Sequence, residues 1–378
     1  MKYLTRAIIF AGLMLAYTAA VNAANYYATA TGSGAICTSS APCSLLTAIT
    51  KPVAGDTVHV APGAYSYAST NDAAVQTMKS GTASARIRYL SDTKWGAKIV
   101  SNGPRTAWYN YGNYVDIEGF DVTGNGSGGI WNYASYVSII NNHVHDVAGP
   151  SDCINSSGGG AGIDHTGYAS SDNNTIGNIV HGIGIANCGL LGDKVHGIYH
   201  SSLRGKILNN ISYNNSGYGI HNWHAAKQVT ISNNLAFANG ASGLVVGAGD
   251  APGGVTADGF VVTNNMLINN GQYGISEEGL TGANTYASNI IYGNTLGATI
   301  LKNGNTAVNT LYAAPSTTFI NYIDDGTGDY HLSAASQAIN RGTSQGAPTT
   351  DITGLARIGN PDMGPYEFVC PVRTGPLF

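Results

Sequence analysis

The chain has 378 residues, a formal net charge of −4, 10% charged residues and 51 glycines. So much glycine excludes a helical bundle or helical solenoid, because glycine is among the poorest helix formers. The slightly acidic balance argues against a nucleic-acid partner, which needs a basic surface.

Met1 to Arg6 is basic, Ala7 to Ala20 is apolar, and Val21-Asn22-Ala23 offers small residues before a cut. This is the pattern of a secretory signal peptide over residues 1–23. It implies a secreted or periplasmic mature chain, 24–378, in a compartment where disulfides persist. No later segment is long and apolar enough to cross a bilayer. Cys37 and Cys43 are placed to close a small loop.

Beyond this point one phrase recurs: Gly, a branched aliphatic residue, then two variable residues. It reads Gly129-Ile130-Trp131-Asn132, Gly162-Ile163-Asp164-His165, Gly197-Ile198-Tyr199-His200, Gly219-Ile220-His221-Asn222, Gly243-Leu244-Val245-Val246 and Gly274-Ile275-Ser276-Glu277. The spacing of roughly 22–35 residues is that of a solenoid. Apolar residues alternate with period two, as in strands. Strands ending in Asn209-Asn210, Asn233-Asn234 and Asn264-Asn265 fall between the phrases, and Asn suits tight left-handed turns. The prediction is an all-β fold, a parallel β-helix, in one domain over 24–378. Cys153 and Cys188 lie at the same offset before Gly162 and Gly197. They would stack one rung apart, within disulfide reach. Cys370 is left over.

The stretch Gly55-Asp56-Thr57-Val58-His59-Val60-Ala61-Pro62-Gly63-Ala64-Tyr65 resembles the opening rung of secreted right-handed β-helix proteins of the pectate-lyase-like superfamily. The tail resembles the closing segment of the same superfamily: Asp329-Tyr330-His331-Leu332, then Asp351 to Arg357, then Asp362 to Glu367. The resemblance implies a single-stranded right-handed parallel β-helix with an N-terminal cap at about 24–66, in which Ser44 to Ala54 would be a short capping helix, and a C-terminal cap at about 315–378, with Asp351, Arg357, Asp362 and Glu367 structural. It is weak for function, since one fold hosts many chemistries. The His196 to Ser201 and Gly217 to His224 segments also resemble polysaccharide-degrading members of the superfamily, but no catalytic role transfers with that likeness.

If the aliphatic residue after Gly points inward, the next residue points out and the fourth points in again. The outward columns are then Trp131, Asp164, Tyr199, His221, Val245, Ser276 and Tyr133, Thr166, Ser201, Trp223, Gly247, Glu278. Aromatic and titratable side chains stacked on one face suit a long glycan chain. His200 and His165 share the fourth, inward position.

The expected chemistry is β-elimination on an acidic, uronate-containing exopolysaccharide. It needs a base, an acid and a cation facing the carboxylate. The candidate catalytic residues are Tyr199, His221, His200, Arg204, Lys194 and Lys227, with Tyr199 and His221 as the acid–base pair. Candidate substrate-binding residues are Trp131, Asp164, His196, Tyr218, Trp223, His224, Glu277 and Glu278. The competing readings are a glycoside hydrolase using Asp164, Asp250, Glu277 or Glu278, and a non-catalytic glycan-binding surface protein. His143 and His145 beside Asp146 make half a metal site, but spacing fixes no third ligand, so no metal is assigned. Calcium is admitted by the resemblance without being required. The expected partner is an acidic polysaccharide, and the expected state a monomer.

Overall fold

The computed structural model describes residues 23–68, 73–150, 159–191, 194–251 and 253–369. The signal peptide, Cys153 and Cys370 lie outside the described residues. Three parallel sheets run the length of a right-handed β-helix. Sheet 1 has eleven strands, from Asn25–Ala28 to Ala307–Val308. Sheet 2 carries the recurring phrase and has nine, from Ala73–Thr77 to Gly297–Ile300. Sheet 3 also has nine, from Gly63–Tyr67 to Ile290–Tyr292. One rung is Leu203–Leu208, Ile211–Tyr213 and Tyr218–Asn222, taken from sheets 1, 3 and 2 in turn.

Register stacks like on like. Ile130, Ile163, Ile198, Ile220, Leu244 and Ile275 pair in one column, and all are buried. The glycine before each aliphatic residue is required by space. A Cβ on Gly162 would fall on the core side chains of Val180 and Ile183, and one on Gly197 would meet Ser212 and Asn215.

The Asn-Asn pairs divide the labour at the corner between sheets 1 and 3. The first Asn takes left-handed backbone angles, with φ of 54° at Asn209, 59° at Asn233 and 58° at Asn264. Asn accepts this conformation more readily than most residues. The second Asn enters a buried ladder. Asn142, Asn178, Asn210, Asn234 and Asn265 each donate from Nδ2 to the Oδ1 of the next, ending at Asn289, at 2.9–3.1 Å. Each of these Nδ2 groups also donates to a backbone carbonyl of the preceding rung, as Asn234 does to Ile207. A second ladder runs through Asn215, Asn239, Asn270 and Asn294.

At the N-terminal end, Cys37 and Cys43 form a disulfide. The helix spans one turn, Leu45–Ala48, with Ser44 Oγ accepting from the Thr47 N–H. It is shorter than the 44–54 expected, and Pro52 explains the stop, since a residue before proline avoids helical angles. Cys188 is disulfide-bonded, and the partner expected for it, Cys153, is among the residues not described.

The sequence reads the tail as a C-terminal cap over about 315–378, and its position on the solenoid is a flanking one. It lies along the outer face of sheet 3. Phe319, Tyr330, Leu332, Ile352 and Met363 pack on outward Ile211, Leu235, Phe237, Met266 and Ile290. The cause is in the sheet 3 strands, where Leu235–Phe237 and Met266–Ile268 are buried at every position. Asp351, Arg357, Asp362 and Glu367 are structural within this flank. Arg357 Nη1 donates to Glu367 Oε2 at 3.0 Å and Nη2 to Asn209 Oδ1 at 3.0 Å. Among the described residues no helix is long and apolar enough to cross a membrane.

Replacing Asn234 by Ala orphans buried groups on both neighbouring rungs. The expected loss is about 1–3 kcal/mol per orphaned group, read as a lower urea midpoint with an unchanged m-value. An unchanged midpoint would mean that the ladder does not hold the rungs together.

Candidate active site

Sheet 2 sets the site by an outward–inward–inward–outward order around each glycine. The glycine sits at the corner with its missing side chain directed inward, so the residue before it and the residue two after it share the outer face. His196 and Tyr199 are such a pair, and Tyr218 and His221 repeat it one rung on, in register His196 with Tyr218 and Tyr199 with His221. Asp164 stands beside Tyr199 on the preceding rung. Trp131, Asp164, His196, Tyr199, His221 and Trp223, with Lys194, His224, Tyr168 and Asp250 around them, line a cleft of about 380 Å³.

The imidazoles are coupled. His221 Nδ1 lies 3.2 Å from His196 Nδ1, so one ring carries its proton there and the other accepts it. Burial, with neighbouring histidines adding, holds both rings neutral. His196 is pushed down to about 3 and His221 well below the ordinary histidine value. His221 Nε2 is enclosed without a partner. The Tyr199 ring stacks on His196 with centroids 4.5 Å apart and lies edge-on to His221 at 5.2 Å. Burial, followed by the nearby Asp164, Tyr168 and Asp250, raises the Tyr199 hydroxyl far above its ordinary value, so it keeps its proton. Asp164 is buried, its Oδ1 has no partner, and burial raises its carboxyl well above the usual range. Burial therefore favours its protonated form, which is able to donate. Lys194 is exposed at the rim.

The walls are fixed from behind. Trp131 Nε1 donates to the Ala161 carbonyl at 3.2 Å, and the indole stacks on Tyr109 at 5.8 Å. Trp223 lies against Gly247 and Gly249, where any Cβ would meet its ring, and its Nε1 donates to Asp250 Oδ2 at 3.4 Å. His224 Nδ1 donates to the Gly249 carbonyl at 3.2 Å, leaving Nε2 to accept from the Tyr168 hydroxyl at 3.0 Å.

Eight of the expected residues meet here: Trp131, Asp164, Lys194, His196, Tyr199, His221, Trp223 and His224. Others do not. Arg204 and Lys227 are on sheet 1, bonded to Asp172 at 2.7 Å and Asp258 at 3.0 Å. His200 faces the interior, fully buried beside His165 and within 3.3 Å of Ser202 Oγ. Glu277 also faces inward, where it accepts from Tyr286 at 2.6 Å and from Asn284 and Asn305. Glu278 accepts from Ser276 Oγ at 2.9 Å, outside the cleft. Tyr218 backs His196 and His221 without lining the opening. Tyr168 was not singled out from the sequence. It lies in the turn after the strand Gly160–His165, and no periodicity marks it.

No family model and no curated protein matches the chain. Solved structures do. Pectate lyase Pel9A superposes with a TM-score of 0.62 at 18% identity, over 91% of this chain and 96% of that one. A rhamnogalacturonan lyase gives 0.54 at 18% identity, over 80% and 91%. The chain has the right-handed parallel β-helix fold of pectate-lyase-like proteins.

Calcium is the metal that the sequence resemblance admits. It needs six to eight oxygen ligands, and the cleft offers Asp164 and Asp250 among imidazoles, indoles and an ammonium. Among the described residues no three acidic or histidine ligand atoms converge in this cleft. The donor set of the described residues does not fit calcium.

Ring-nitrogen NMR gives a direct check on the electrostatics. His196 and His221 are expected to stay neutral well below pH ~6.5, the ordinary histidine value, because a lowered pKa favours the neutral form. Protonation of both near pH ~6.5 would contradict the enclosed, coupled pair.

Proposed function

We propose that this chain is a secreted polysaccharide lyase that cleaves an acidic, uronate-containing polysaccharide by β-elimination. The observation that carries the reading is the neutral His196–His221 pair in contact with a protonated Tyr199, inside one aromatic-walled cleft with Lys194 at its rim. Elimination removes the C5 proton, forms the C4–C5 double bond and breaks the bond from C4 to the glycosidic oxygen, which then takes a proton. A neutral imidazole is competent to take the C5 proton, and the Tyr199 hydroxyl to give one to the leaving oxygen. Lys194 faces the uronate carboxylate as a point charge. Protonated Asp164 donates to the same carboxylate as negative charge builds on it, in the way a buried carboxylic acid stabilises an enolate. Trp131 and Trp223 offer flat faces to sugar rings.

Two lines support the reading from outside the cleft. The similarly folded proteins are named as lyases of pectate and rhamnogalacturonan. The Cys37–Cys43 disulfide suits an oxidising, extracytoplasmic compartment. A hydrolase would draw on Asp164 and Asp250, which line the cleft among the described residues.

The test is ultraviolet absorbance of acidic polysaccharides incubated with the protein, since elimination creates a conjugated unsaturated uronate. Absorbance is expected to rise. Tyr199→Phe and His221→Ala should each lower kcat by ~10²–10⁴-fold. Lys194→Ala should act mainly on KM, and Arg204→Ala, on another sheet, should leave both near wild type. New reducing ends without absorbance would establish a hydrolase, and binding without cleavage a glycan-binding protein.

The pH profile follows from the shifts. The base must be neutral, so kcat/KM should hold as pH falls below ~6.5. Tyr199 as the acid keeps its proton to above ~10, so an earlier alkaline decline would report loss of the proton that Asp164 donates. A bell centred on an ordinary histidine value would contradict these roles.

A further inference from the structure

We propose that His143, His145 and His181 form a binding site for a divalent ion of the zinc class, on the outer face of sheet 3 and separate from the cleft. The strands His143–Val147 and Ile179–His181 are adjacent and parallel, with His145 opposite His181 and Val144 opposite Val180. Val144 and Val180 point into the core, so the flanking histidines all point out. One ring nitrogen from each histidine falls within 4.8 Å of the other two. His143 Nε2 and His181 Nε2 are already 2.9 Å apart. A tetrahedral ion with Zn–N bonds of ~2.0–2.1 Å sets its ligand nitrogens about 3.3 Å apart, so the His143–His181 pair need open by only a few tenths of an ångström, while the His145 nitrogen, within 4.8 Å of both, turns toward them to complete the site.

The surroundings are those of a metal-binding histidine cluster. A ligating imidazole usually has its other ring nitrogen held by a carboxylate. Asp121 Oδ2 is 3.1 Å from His143 Nδ1, and Asp146 Oδ2 is 2.8 Å from His145 Nδ1. Asp121 Oδ1 also stands 3.2 Å from His145 Nε2. Ring contacts fix the outer two histidines: Trp95 lies 5.1 Å from His143, and Tyr213 stacks on His181 at 4.6 Å. The histidines are partly exposed, so an ion can enter and the fourth position is open to water. Three imidazoles select zinc, nickel, copper or cobalt over calcium or magnesium, which prefer oxygen. An ion here would tie two successive rungs of sheet 3 together.

The experiment is titration of the chelator-stripped full chain with Co²⁺, followed by visible ligand-field absorption, with Zn²⁺ as competitor. One equivalent of Co²⁺ should bind with tetrahedral-type bands, and Zn²⁺ should displace it. His181→Ala and His143→Asn should each abolish the bands or weaken binding by ~100-fold or more, and Asp146→Asn should weaken it by ~10–100-fold. Circular dichroism confirms that each variant is folded. His221→Ala should leave the titration unchanged. Absence of the bands, bands that survive both His181→Ala and His143→Asn, or bands lost in His221→Ala would overturn the proposal. None of these outcomes depends on lyase activity.

Discussion

The structure depends on one steric constraint: at the corner between sheets 3 and 2, the chain passes too close to the core for a Cβ. Glycine is the residue that fits at Gly129, Gly162, Gly197, Gly219, Gly243 and Gly274. The consequence reaches the chemistry. Because the glycine's missing side chain and the following aliphatic residue both face inward, the residues on either side of that pair face out together. His196 and Tyr199 can therefore stack ring on ring although they are three apart on a strand. Regular alternation would have put them on opposite faces. The Asn ladders then hold successive rungs in register, so that His221 arrives one strand away with its Nδ1 against that of His196.

The core column, the Gly-x-x phrase and most cleft residues were legible in the sequence, because stacking in a β-helix converts sequence offset directly into position. The failures have the same origin. Arg204 and Lys227 are close in sequence to the phrase, yet they lie on sheet 1, past a turn that points them elsewhere. Glu277 occupies the inward fourth position, so its charge faces Tyr286, Asn284 and Asn305 rather than the cleft. The tail's place follows from the apolar runs Leu235-Ala236-Phe237 and Met266-Leu267-Ile268, which signal strands covered on both sides. The third histidine of the sheet 3 cluster was also within reach: Asn142 to His145 and Asn178 to His181 share one offset, and the Asn ladder sets that offset. Tyr168 had no such signal, since it sits in a turn where no column passes.

Histidine serves two different purposes on two faces of the same solenoid. In the cleft, His196 and His221 are enclosed and, among the described residues, hydrogen-bond only to each other. Nothing nearby rewards a positive charge, which leaves neutral rings suited to accept a proton. On sheet 3, His143 and His145 are half-open and held by Asp121 and Asp146, an arrangement that orients lone pairs toward a cation. Residue type alone does not separate these roles. The partner of the second ring nitrogen does.

The central claim is that the cleft breaks a glycan chain by elimination. The most direct measurement is mass spectrometry of the oligosaccharides released from an acidic polysaccharide in heavy-oxygen water. The account predicts fragments whose new non-reducing ends are unsaturated and one water lighter than hydrolysis would give, with no heavy oxygen incorporated at the break. Fragments of full hydrolytic mass carrying the label would contradict it.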